Sequence, residues 1–135
     1  MKGKGNMLSP GLEGHVSVVV NEQHTARHMG SGNRDVLATP MLVALLEAAA
    51  KKAIAPGLAE NQQTVGVHLD LTHDAATPVG MQVTAFARLV SVSGRTLVFE
   101  LSARDEMEKI ASGTHTRMLA AAASLDRMLQ KKQKK

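Results

Sequence analysis

Three residues of this chain have side chains able to take an activated acyl group apart: Thr39, Glu47 and His73. A hydroxyl can hold or position a carbonyl oxygen. A carboxylate can attack the carbonyl carbon or activate a water, and an imidazole can move the proton. Each residue also has an ordinary explanation. Thr39 precedes Pro40 at the start of TPMLVALLEAAAKK and suits a helix N-cap. Glu47 lies four residues before Lys51, the favourable order for a surface ion pair worth ~0.2–0.5 kcal/mol. His73 could be a core histidine bonded to backbone.

The surroundings of Glu47 argue against the ordinary explanation. From Pro40 to Ala50 it is the only residue that is not apolar. A helix this greasy is expected to lie under a sheet rather than along solvent. An ionised carboxylate left dry there needs a partner. His73 offers one. In TVGVHLDLTH the odd positions Val65, Val67, Leu69 and Leu71 form an apolar row that continues to His73, with Gly66, His68, Asp70 and Thr72 on the other face. A regular strand therefore turns His73 toward the helix, and a bulge before it would reverse that parity.

The elements that must position these residues follow from pattern and turn chemistry. GHVSVVVN (Gly14 to Asn21) reads as a first strand, and the polar stretch from Glu22 to Val36 as an irregular loop. Thr39-Pro40 starts a helix that runs to about Ala55, where Pro56-Gly57 stops it. The period then changes to two. Strands are expected over Thr64–His73, Val79–Val92, Arg95–Arg104 and Lys109–Ala123, with Ser93-Gly94 turning a hairpin. The second hairpin strand puts Leu97, Phe99, Leu101 and Ala103 on one face. The sum is α+β: one antiparallel sheet curled around one central helix.

Composition narrows the field. The 135 residues suit a single domain, expected over residues 1–125. The net charge of +4 is matched by Lys131, Lys132, Lys134 and Lys135, so residues 126–135 read as a basic, disordered tail rather than a nucleic-acid surface. Phe86 and Phe99 are the only aromatic rings, too few to stack on bases. There is no cysteine, hence no thiolate metal site and no cysteine nucleophile. MKGKGN is not followed by an apolar run, and no segment has the ~18 apolar residues of a membrane span. The expectation is a cytoplasmic protein without metal, cofactor, nucleic-acid or membrane partner.

LATPMLVALLEAAA, VGVHLDLTHDAATPVG and GTHTRML, taken together, resemble the fluoroacetyl-CoA thioesterase-like family of hotdog-fold acyl-CoA thioesterases. The resemblance runs roughly from Val16 to Leu119. It implies a five-stranded antiparallel sheet around a long helix, a homodimer with sites near the subunit interface, and hydrolysis of an acyl-CoA thioester. It implies Thr39, Glu47 and His73 as the catalytic set, with Gly66 and Arg117 flanking the acyl group or the thioester. One departure is clear. The Glu22–Val36 loop has no aromatic residue, whereas the fluoroacetyl-specific type lines its entrance with bulky rings. The implied activity is therefore thioester hydrolysis of a short or small acyl group, with the identity of that group, fluoroacetyl or another, left open.

Rival readings are a hotdog dehydratase, a non-catalytic hotdog protein that binds acyl-CoA or an acyl carrier, and a metal site in HLDLTHD. The last requires His68 and Asp70 to share a face with His73, against strand parity.

Overall fold

The computed structural model describes residues 8–133. Its elements are β1 (Glu13–Val19), α1 (Ala26–Met29), α2 (Thr39–Ile54), β2 (Gln62–His73), β3 (Gln82–Ser93), β4 (Thr96–Arg104), β5 (Lys109–Ala121) and α3 (Ala122–Gln133). The five strands form one antiparallel sheet in the order β1-β3-β4-β5-β2. The sheet curls around α2, which packs chiefly on β1 and β3. This is the α+β architecture expected from the sequence.

Burial explains the arrangement. Leu42, Leu45, Leu46, Ala49, Ala50, Ala53 and Ile54 of α2 are buried, as are Leu97, Phe99, Leu101 and Ala103 of β4. Full burial of each large apolar side chain contributes about 1.5–3 kcal/mol. The helix sits very close to β1. A Cβ on Gly14 would come within 2.5 Å of the Ala49 carbonyl oxygen and 2.6 Å of the Ala53 nitrogen. Only glycine allows that approach, because both neighbours are backbone atoms with no freedom to yield.

The sheet covers one side of α2 only. Pro40 and Ala44 are exposed, and Val43, Glu47 and Ala48 are half-buried. These positions follow helical spacing and form a second stripe, mostly apolar, that the described residues leave largely uncovered.

Several boundaries differ from the sequence reading. The Glu22–Val36 segment is partly ordered: a 3₁₀ turn at Glu22–His24 closes with an Asn21 capping box, and Thr25 caps α1. β3 starts at Gln82, because Gly80 (φ +96°) turns the chain just before it. β5 ends at Ala121, and residues 122–133 form helix α3 where a disordered tail was expected from residue 126. Ala, Leu, Arg, Met, Gln and Lys are all good helix formers, and the Asn61 carbonyl accepts the Ala122 N–H at 3.0 Å. No residue of α3 is buried. Lys134, Lys135 and MKGKGN lie outside the described residues. No described helix is long and apolar enough to cross a membrane.

Candidate active site

Thr39 is not the N-cap of α2. Ala38 holds that position without a side-chain cap bond, and Thr39 and Pro40 form the first turn. The Thr39 hydroxyl is therefore available for another partner, and it lies 2.8 Å from Nδ1 of His73. His73 ends β2 and is half-buried. Its other ring nitrogen, Nε2, is buried and has no hydrogen-bond partner among the described residues. Burial holds the His73 pKa below the ordinary histidine value, against the upward pull of the Ala75 carbonyl and the Asp74 carboxylate. The ring is thus neutral at pH 7 and able to accept a proton. A cleft of about 350 Å³ opens beside the pair, walled by Ala26, Ser31, Val36 and Leu37 together with Thr39 and His73.

A second cluster lies farther along the helix. Eight residues separate Thr39 from Glu47, which is about 12 Å along an α-helix axis. Glu47 Oε2 sits 3.4 Å from Nη1 of Arg117 and 3.8 Å from Nε2 of His115. Arg117 is buried and further fixed by Thr64: its Nε donates to the Thr64 hydroxyl at 2.8 Å and its Nη2 to the Thr64 carbonyl at 3.1 Å. Gly66 backs onto this group. A Cβ there would lie 2.5 Å from Glu47 Oε2 and 3.3 Å from Arg117 Nη1.

Glu47 differs from the sequence expectation in two respects. Its side chain is 40% exposed rather than dry, because it lies on the stripe of α2 that the sheet leaves bare. Its charged partner within the chain is Arg117, and no ion pair joins it to His73 or Lys51 among the described residues.

A β-bulge between Gly66 and His68 accounts for the layout of β2. It ejects Val67, which is 54% exposed, and reverses the parity of the strand. Beyond it Leu69, Leu71 and His73 turn inward, as expected. Before it Thr64 and Gly66 turn inward instead of the expected Val65 and Val67, and Gly66 pairs with Arg117 in the β5 register. His68 and Asp70 are exposed, on the face opposite His73. Bulges of this kind re-aim side chains beside functional sites.

Thr64 was not singled out by sequence reasoning, and His115 carries no motif there and reads at most as a neighbour of the pocket. The signal for His115 was available: it stands two residues before Arg117 on one strand, so the two share a face. A larger concavity of about 870 Å³ lies on the outer face of the sheet beside His15, Phe86 and Arg88. Thr39, Glu47, His73, His115 and Arg117 do not line it.

Comparison with known proteins places the chain in a family. The model of the FlK family, described as fluoroacetyl-CoA-specific thioesterase, matches residues 20–123. A fluoroacetyl-CoA thioesterase from Streptantibioticus cattleyicolor is 40% identical over 105 residues, covering 73% of this chain and 76% of that protein. The crystal structure of the fluoroacetyl-CoA thioesterase FlK superposes with a TM-score of 0.86 at 34% identity, over 93% of this chain and 97% of that one. A variant of FlK in complex with acetyl-CoA gives a TM-score of 0.87 at 33% identity, covering 93% and 98%. A Thermus thermophilus thioesterase superfamily member gives 0.86 at 25% identity, covering 93% of each chain. The fold is thus the hotdog fold of the thioesterase superfamily, and the chain belongs to the fluoroacetyl-CoA-specific thioesterase family.

Proposed function

We propose that this protein is an acyl-CoA thioesterase acting on a short or small acyl group, with Thr39, Glu47 and His73 as its catalytic set. The observation that carries the reading is the Thr39 hydroxyl held 2.8 Å from a neutral, half-buried His73 at the wall of a small cleft. Family membership supplies the reaction class, and the acetyl-CoA complex of FlK supplies a small acyl group as precedent. The Glu22–Val36 segment carries no aromatic ring, so the proposal is thioesterase activity rather than fluoroacetyl-CoA specificity. A cytoplasmic location goes with an acyl-CoA substrate.

In this reading, Thr39 and the uncapped N–H groups of the first turn of α2 place the thioester carbonyl and favour the negative oxygen formed on attack. Glu47 attacks the carbonyl or activates a water. His73 moves the proton toward the departing thiolate. Gly66 leaves room for the carboxylate, and Arg117 holds it by charge.

The reading includes a homodimer. Three features support it: the bare stripe of α2 around Val43 and Ala44, the edge position of β2, and the unpaired Nε2 of His73. One chain leaves Glu47 about a dozen ångströms along the helix from Thr39. A second copy packed against the bare stripe would bring its Glu47 to the Thr39–His73 pair.

The test is thiol release from a panel of short, branched and aromatic acyl-CoAs. Turnover of small acyl-CoAs is expected, with Glu47→Gln and His73→Ala each losing most of it while remaining folded. Saturable acyl-CoA binding without thiol release by the wild-type protein would refute catalysis.

A further inference from the structure

His115 is a buried, chemically capable side chain that the proposed reaction does not use. It is 2% exposed, and both of its ring nitrogens are engaged. Nδ1 lies 2.8 Å from the His68 carbonyl. A carbonyl only accepts, so Nδ1 carries the proton and Nε2 presents a lone pair. Nε2 lies 3.1 Å from Nη1 of Arg117. Nη1 has two N–H groups: one donates to the imidazole, and the other faces Glu47 Oε2 at 3.4 Å. The ring packs against Phe99 and has Gly66 beside its Cε1.

We infer that His115 is a positioning residue for this site: its Nε2 sets the rotation of the Arg117 guanidinium, and thereby where Glu47 is held. The β2 bulge serves both ends of the arrangement. It turns Gly66 toward the carboxylate, and it lies beside His68, whose carbonyl fixes the tautomer of the ring. Burial, with the charge of Arg117, holds the His115 pKa below the ordinary histidine value despite the opposing His68 carbonyl and Glu47. Its contact with Glu47 is therefore one between a neutral ring and a carboxylate, not an ion pair. A histidine kept only for packing would need the backbone bond alone. The second bond, to the group that holds the carboxylate, is what assigns the role.

This inference rests on the thioesterase reading, and the experiment separates the two. Thiol release from acetyl-CoA is measured for the wild type, His115→Phe, His115→Gln, Arg117→Ala and the His115→Phe/Arg117→Ala double variant. Phenylalanine keeps the ring and removes both polar ends. Glutamine keeps a donor and an acceptor. The expected result for His115→Phe is a kcat lower on the order of 10²-fold, the scale of an ångström misplacement, with KM nearly unchanged. His115→Gln should regain much of that loss. Adding His115→Phe to Arg117→Ala should cost nothing more, because the effect runs through the guanidinium. Wild-type kcat in folded His115→Phe, or additive losses in the double variant, would overturn the assignment while leaving the thioesterase reading intact. A wild-type protein that releases no thiol from any acyl-CoA overturns both. If His115→Phe does not fold, His115→Leu takes its place in the same cycle.

Discussion

Gly66→Ala puts the placement of Glu47 under direct strain. The new methyl group would sit 2.5 Å from Glu47 Oε2, 3.1 Å from His115 Cε1 and 3.3 Å from Arg117 Nη1. An ordinary carbon–oxygen contact is about 3.3 Å or longer. The carboxylate must therefore retreat by about 0.8 Å or more, since His115 and Arg117 are buried and each is held by at least two bonds. It can retreat, being the far end of a flexible side chain that is 40% exposed. The backbone is not the obstacle, because Gly66 is not among the glycines at positive φ. The Glu47–Arg117 contact is already 3.4 Å, so the retreat breaks it. The expected outcome is a kcat lower on the order of 10²-fold, as for an ångström misplacement of a reacting group. Stability should fall modestly, because the gain of about 0.4–1 kcal/mol from reduced unfolded-state freedom is outweighed by leaving the buried Arg117 without its carboxylate. The assay is thiol release at saturating acetyl-CoA beside a urea unfolding curve. Wild-type kcat in a folded Gly66→Ala protein would refute the argument that this glycine exists to admit the carboxylate.

Three further outcomes are expected. Thr39→Ser should be mild, and Thr39→Ala should lower kcat by about 10²–10³-fold, the range for a lost oxyanion or positioning group; steady-state kinetics on the purified variants checks this. His73 has a folded pKa below its unfolded 6.5, so its neutral form prevails above that value and is lost as pH falls through the lower folded one. The pH profile of kcat/KM should accordingly stay level near pH 7 and bend below 6.5, whereas a bend above 6.5 would contradict the assignment. Asp105 accepts from the Thr77 hydroxyl and from the Met107 and Glu108 N–H groups at 2.8–3.0 Å. Burial alone would raise its pKa, but those bonds together, with Arg104 nearby, hold it below the usual carboxylate range. Its contribution to stability is present above the unfolded value near 3.8 and is lost as pH falls through the lower folded value. Asp105→Ala should cost about 2–3 kcal/mol in urea unfolding at pH 7 and flatten the acid end of the stability profile.

Much of the fold was legible because its signals are local. Proline at the start of α2 and Pro56-Gly57 at its end bound the helix, and the alternation in β4 put the right four residues in the core. The inward turn of His73 was legible as well, since the parity argument holds beyond the bulge, but its contact with Thr39 was not, because the strand pattern offered it to Glu47. What escaped depends on distant residues or on irregular backbone. A bulge has no strong compositional signal, so Val65 and Val67 read as inward residues. The partner of Glu47 lies 70 residues away on β5, and nothing in a helix pattern points there. Thr39 looked like a cap because capping is the commoner use of threonine before proline, and only its position inside the first turn frees the hydroxyl. The dryness expected of Glu47 failed because apolar neighbours along a helix do not reveal which of them the same chain covers.

The claim on which the account turns is that two chains share each site, with Glu47 supplied by one and the Thr39–His73 pair by the other. Glu47→Gln and His73→Ala subunits, each inactive alone, are co-expressed with different tags, and thiol release from acetyl-CoA is measured on the mixed species. In a mixed dimer one of the two sites is then assembled from intact halves. The account predicts recovery to roughly half of the wild-type rate per mixed dimer, and to roughly a quarter in a randomly paired pool before separation. Mixed dimers isolated through both tags that remain as inactive as their parents would contradict it.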